Sequence, residues 1–167
     1  MRVNLTRSVR HLLMTPWHVR KAFPRATMKA IEAAVAKCEH AHSGQICVAI
    51  EAALPTDVLL RGLSARDRAI EVFSTLRVWD TEHNNGVLLY LLIADRDVEI
   101  VADRGIAQRV QQSEWEAICR QMESAFSAGH FEDGIIAGIY SVADKLSDHF
   151  PGEGERNNEL PDAPVML

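Results

Sequence analysis

Apolar positions along this chain alternate between two spacings, one of about three to four residues and one of continuous short runs. From Arg25 to about Ala41, good helix formers carry Met28, Ile31, Val35 and Cys38 at three- and four-residue steps, which predicts a helix with a single buried stripe. Before it, Thr15-Pro16 sets a capping residue ahead of a proline at the first helical position, so a short helix runs through Phe23 and stops at Pro24. Gln45 to Ala53 is apolar and partly β-branched, the composition of a strand covered on both faces. Ser64 with Asp67 forms a capping box for a helix to about Val78, whose inner face is expected at Ile70, Phe73 and Leu76.

After the polar loop Trp79-Asp80-Thr81-Glu82-His83-Asn84-Asn85, Gly86 opens a second strand, Val87 to Ile93. Asp95-Arg96-Asp97 then turns the chain into a third, Val98 to Ala102, a β-hairpin. Ser113 and Glu116 predict another capped helix, lined by Trp115, Ile118, Cys119, Met122 and Phe126. The last helix spans about Glu132 to Phe150, with Ile135, Ile136, Ile139, Val142 and Leu146 inward and with Gly134 and Gly138 allowing close packing of this helix on the sheet. Past Pro151 there is no periodicity, so residues 151–167 are expected to be disordered. The organisation that results is a basic helical arm over residues 1–25, one α/β domain over 26–150, and a tail.

Strand, helix, strand between Gln45 and Ile93 reads as a βαβ crossover, which makes the first two strands parallel. The start of the first strand, His42-Ser43-Gly44, then lies at the same sheet edge as the 79–86 loop, and the hairpin returns the third strand to that edge. With a turn at Asp95-Arg96, Leu88 faces Asp103 and Val87 faces Arg104. Asp80, Glu82, Asn84, Asn85 and Asp103 thereby supply carboxylate and amide oxygens in one small region, the ligand type hard cations such as Ca²⁺ prefer, although the spacing is not that of an EF-hand. The competing reading is a solvated acidic loop, with Asn85-Gly86 as turn chemistry and Asp103 as a local cap.

Charge adds an asymmetry. Residues 1–31 hold seven basic side chains and no Asp or Glu, leaving 11 basic against 23 acidic residues in the remainder. An arm of this kind, through Arg2, Arg7, Arg10, Trp17, Arg20 and Lys21, suits an anionic membrane surface or an acidic partner, or else folds onto its own acidic body. Nothing in the pattern points to nucleic acid. The longest apolar run, Val87 to Ala94, is far below the roughly 20 residues that span a bilayer, and no signal-peptide pattern follows the N-terminal arginines. Cys38, Cys47 and Cys119 are odd in number and sit in apolar patterns, as reduced thiols of a cytoplasmic protein do.

No phosphate-binding loop, dinucleotide fingerprint, nucleophile elbow or His-Glu-x-x-His motif is present. Cys38, Glu39, His40 and His42 are a minor candidate for a transition metal, and His83 for a general acid or base.

The stretch from Trp79 through Asn84-Asn85-Gly86 to Leu89, together with Val98-Glu99-Ile100-Val101-Ala102-Asp103-Arg104-Gly105-Ile106, resembles the central signature of the TPM domain family. The Ser43-Gly44-Gln45-Ile46 strand start and the Gly-His-Phe-x-x-Gly pattern near Phe131 extend the likeness to about residues 28–150. The resemblance implies a three-layer α/β/α sandwich with a small mixed sheet, βαβ crossover plus hairpin, flanked by helices. It also implies Ca²⁺ binding, with Mg²⁺ second, or acid phosphatase activity, and for the short bacterial type a place in the cytoplasm beside the inner membrane. Gln45 stands where many relatives carry an acid. The expectation is a non-catalytic cation-binding module serving a membrane-linked assembly, with a metal-dependent phosphatase and a ligand-free interaction module as alternatives.

Overall fold

In the computed structural model, which describes residues 5–152 and 158–167, four strands form one mixed sheet. They are β1 (Gln45–Glu51), β2 (Gly86–Leu92), β3 (Asp97–Ala102) and β4 (Val165–Met166), in the order β3-β2-β1-β4. β1 and β2 are parallel from Gln45↔Gly86 to Glu51↔Leu92, β2 and β3 are antiparallel, and β4 adds in parallel to β1. Eight helices accompany them among the described residues: α1 (Leu5–Leu13), α2 (Pro16–Ala22), α3 (Arg25–Cys38), α4 (Thr56–Leu60), α5 (Ala65–Thr75), α6 (Arg104–Ala107), α7 (Gln112–Ser127) and α8 (Phe131–His149).

Strand alternation sorts the core into two halves. Ile46, Val48 and Ile50 of β1 with Val87, Leu89 and Leu91 of β2 meet Ile31 and Val35 of α3, Trp115 and Met122 of α7, and Ile139 and Leu146 of α8. On the opposite face Cys47, Ala49, Leu88 and Tyr90 meet Val58 and Leu59 of α4 and Ala65, Ala69 and Val72 of α5. Helices on both faces of a small mixed sheet make the α/β/α sandwich.

Several boundaries and faces differ from the sequence reading. The hairpin register is Val87↔Ala102 and Leu92↔Asp97, two residues from the expected pairing, because the turn takes four residues, Ile93 to Arg96, with Arg96 at φ 53°. α5 buries Ala65, Ala69 and Val72 and leaves Ile70 47% exposed, since the alanines let the helix lie close to the sheet. The cap of α7 lies two residues earlier than Ser113, at Gln111, whose backbone N–H donates to Glu114 at 3.1 Å. Gly134 and Gly138 serve a helix-helix contact rather than helix on sheet: a Cβ at Gly138 would strike the Met122 sulfur, and one at Gly134 the Phe126 ring.

The tail is the largest correction. Its described part is ordered onto the sheet, with Leu160 buried in the second core half, the Gln45 side-chain oxygen accepting from the backbone N–H of Glu159 (3.0 Å) and Leu160 (3.2 Å), and β4 extending the sheet. A two-residue strand held by a distant side chain has no periodicity to read. No described helix is long and apolar enough to cross a membrane.

Candidate functional site

The rim where β1 and β2 begin and β3 ends is shaped by the exit from α5. Arg77 takes a left-handed conformation (φ 54°), with its N–H on the Ser74 carbonyl and the Val78 N–H on that of Phe73, the paired bonds of a Schellman stop. The chain then loops through residues 79–85, held by buried Thr81, whose hydroxyl accepts from the Asn85 N–H at 3.1 Å and whose carbonyl accepts from the Asn84 N–H at 3.2 Å.

Both signature glycines are explained by this loop. A Cβ on Gly86 would collide with the Val78 carbonyl, and one on Gly105 would lie 2.5 Å from the Asn84 carbonyl oxygen and 2.7 Å from that of His83. Gly86 has no positive φ, so close approach, and not turn conformation, requires it; the left-handed residue is Asn84, at φ 52°.

Asp103, Asn84 and Asn85 are brought together. The Asp103 N–H donates to the Gly86 carbonyl at 2.9 Å, and the Gly105 N–H to the Asn84 carbonyl at 2.9 Å. The Asn85 side-chain nitrogen donates to the Ser43 carbonyl at 3.2 Å, which fixes the orientation of that amide. One Asp103 oxygen accepts from the Arg104 N–H at 2.7 Å and caps α6. Its other oxygen, Oδ2, and Asn85 Oδ1 are buried without a hydrogen-bond partner.

The expected ligand set is therefore narrower than the loop's composition. Asn84 Oδ1 is taken by Arg104 Nε at 3.1 Å, which also brings a cation to the rim. Asp80 and Glu82 lie on the exposed arc of the same loop. Among the described residues no group of three His, Cys, Asp or Glu side chains is placed to hold a metal, and Cys38, Glu39, His40 and His42 form no such group. His42 is instead fully buried, with Nδ1 3.0 Å from the Gly44 carbonyl. His83 is exposed. One acid was missed: Glu159 of the tail accepts from the Glu82 N–H at 3.1 Å, placed there by Gln45, and only the long-range docking of the tail reveals it.

The basic arm is divided. Arg7 Nε and Arg10 Nη2 bind the two oxygens of Asp95, at 2.8 and 2.7 Å, so these two arginines are turned onto the hairpin of their own domain. His11 joins them, its Nε2 3.1 Å from Asp95 and its Nδ1 accepting from the Leu54 N–H at 3.0 Å. Burial raises the Asp95 carboxyl pKa, and the Arg7 and His11 contacts outweigh it to leave the value below the ordinary one. Trp17, 63% exposed, lies beneath the Lys21 ammonium, 5.5 Å from its ring centre, and Arg20 is exposed beside them. Arg2 lies outside the described residues.

A family model described as the TPM domain matches residues 20–145. The structure is similar to the NMR structure of the BA42 protein from the psychrophilic bacterium Bizionia argentinensis, with a TM-score of 0.75 and 29% identity over 85% of this chain and 93% of that one. It also shares its fold with the N-terminal domain of a P. gingivalis protein, at TM-score 0.60 and 18% identity over 78% of this chain and 82% of the other. Among curated proteins none matches. With the family model spanning residues 20–145, the chain belongs to the TPM domain family.

Proposed function

We propose that this domain is a non-catalytic binding module that takes a hard divalent cation, Ca²⁺ ahead of Mg²⁺, at the rim of the 79–86 loop and Asp103. The observation that carries the reading is the pair of buried oxygens without protein partners, Asp103 Oδ2 and Asn85 Oδ1, on segments joined by the Asp103–Gly86 bond. Buried acceptors left unpaired cost roughly 1–3 kcal/mol each, so such a pair calls for a water or an ion. Ca²⁺ accepts carboxylate, amide and carbonyl oxygens in flexible geometry, whereas Mg²⁺ demands a stricter octahedron. Exposed Asp80, Glu82 and Glu159 add negative charge nearby, and Arg104 opposes it. One buried carboxylate supports only weak binding, with a dissociation constant on the order of 10⁻⁴–10⁻³ M.

Calorimetry with Ca²⁺ and Mg²⁺ tests this, with Asp103→Asn as the control because it keeps the oxygen that caps α6. Heat in the wild type that disappears in the variant supports the site. A metal-dependent acid phosphatase would in addition turn over p-nitrophenyl phosphate in an Asp103-dependent way, and a ligand-free interaction module would show neither heat nor turnover.

The membrane-linked part of the reading rests on a different surface. Leu12, Leu13 and Trp17 are 70%, 68% and 63% exposed, beside Arg20 and Lys21, in a segment without acidic residues. Exposed apolar side chains among basic ones suit an anionic membrane interface. Flotation with vesicles containing anionic lipid, compared between wild type and Leu12→Ser/Leu13→Ser/Trp17→Ser, tests it; equal recovery rejects the surface.

A further inference from the structure

Between α2, the start of α3 and the β4 edge lies a groove of about 730 Å³, within the roughly 300–1,000 Å³ of sites that hold small molecules. Its floor and walls are apolar. Val19 and Phe23 come from α2 and its C-terminal cap, Met28 from α3, and Met166 from β4. Phe23 is fixed from behind by edge contacts with Phe126 and Phe131, at ring-centre distances of 6.2 and 5.7 Å, so that wall is rigid. On the other side Met28 and Met166, flexible and polarisable, let the groove adapt to a chain of carbons.

Leu167, the last residue, also lines the groove, and the charged side chains of the lining have one sign. Arg20 and Arg25 both line the groove, both are exposed, and neither makes an ion pair within the described structure. No Asp or Glu side chain lines it. α3 starts at the same wall with Arg25, its cap is Pro24 with no side-chain hydrogen bond, and its first turn holds no acid, so the field of the helix end adds to the two guanidinium charges. In a chain of net charge −5, a cavity whose only charged side chains are two unpaired arginines is complementary to an anion with an apolar body.

We propose that this groove binds a single-chain anionic amphiphile, with its hydrocarbon against Val19, Phe23, Met28 and Met166 and its headgroup held by Arg20 and Arg25. The site is separate from the cation rim and does not rest on that reading. Neither part of the ligand suffices alone. A small anion has no apolar surface to bury, and an uncharged chain leaves the arginines without a partner.

The test is an ¹⁵N-¹H NMR titration of the full chain with decanoate, acetate and 1-decanol, with EDTA present so that the result is independent of divalent cations. Decanoate is expected to bind saturably and shift the amides of Val19, Met28, Ala52 and Met166. Acetate is expected to leave them unmoved, and 1-decanol to bind at least tenfold more weakly. Arg20→Gln/Arg25→Gln is expected to weaken decanoate at least tenfold, against less than threefold for Lys21→Gln/Lys29→Gln, which removes the same charge outside the groove. All four substitutions are at exposed positions, so the fold is retained. No saturable shift with decanoate, equal binding of decanol, or equal effects of the two double variants would overturn the proposal.

Discussion

The backbone N–H of Asp103 donates to the carbonyl of Gly86 at 2.9 Å, and this bond joins the two segments that carry the family signature. It brings Asp103, with its buried carboxylate oxygen, to the edge where two parallel strands begin, the edge that also carries Asn85 and its buried amide oxygen. The glycines make that approach possible, because each meets a backbone carbonyl of the same loop.

Gly86→Ala and Gly105→Ala are expected to be among the more damaging single changes at this rim of the domain. The added methyl meets backbone, which cannot rotate away as a side chain can, so a loss of about 3 kcal/mol is expected, at the upper end of overpacking effects. Urea unfolding measures it; a loss under about 1 kcal/mol at Gly86 would contradict the close approach to Val78.

On the other face of the sheet, Glu51 is buried and receives two bonds from Arg68, at 3.0 and 2.9 Å, and a third from the Tyr90 hydroxyl at 2.5 Å. Burial and the Glu51 carboxylate push the Tyr90 phenol well above its ordinary pKa, so it remains a donor. Glu51→Ala leaves a guanidinium and a hydroxyl without their acceptor and is expected to cost about 3 kcal/mol. Glu51→Gln, which keeps an acceptor, is expected to cost less. Thermal or urea melts of the two variants check the order.

Stability should also carry a pH signature from Asp97. Burial pushes its carboxyl from 3.8 up to about 6, helped by the charges of Glu99, Glu123 and Asp95. The folded state therefore holds a proton that the unfolded chain releases, and stability falls as pH rises from about 3.8 to about 6. Asp97→Asn removes this dependence: the variant's advantage over wild type in urea midpoint is expected to be small near pH 4 and full above pH 6. A constant difference across that range would contradict the assignment.

The arm should depend on Asp95. Because the Leu54 N–H donates to His11 Nδ1, the ring proton of neutral His11 sits on Nε2, facing Asp95. The Asp95 carboxyl lies below its ordinary value, so its contribution is present above that value and is lost as pH falls through the folded one. Asp95→Ala is expected to speed amide hydrogen exchange in α1 at least tenfold while leaving β1 and β2 unchanged. Unchanged exchange in α1 would show that packing alone holds the arm.

Much of this architecture is legible in the residues. The parallel pair and the hairpin follow from apolar runs, and α3, α7 and α8 bury the stripes their spacing marks. What is not legible depends on contacts distant in sequence or on single backbone angles. Arg96 at positive φ lengthens the hairpin turn and shifts its register; Gln45 holds a tail more than a hundred residues away; and Ala65 and Ala69, weakly apolar, outrank Ile70 on the buried face of α5. At the rim, the crossover and the hairpin identify Asp103, Asn84 and Asn85 as neighbours, but the loss of Asn84 to Arg104 and the arrival of Glu159 require the folded chain.

Cation binding at Asp103 is measured most directly by a Ca²⁺ titration followed by ¹⁵N-¹H NMR on wild type and Asp103→Asn. Saturable shifts confined to residues 80–86 and 103–105 are expected in the wild type and absent in the variant, if Asp103 holds the ion. No saturable shift there, or the same shifts in both proteins, would contradict cation binding at Asp103.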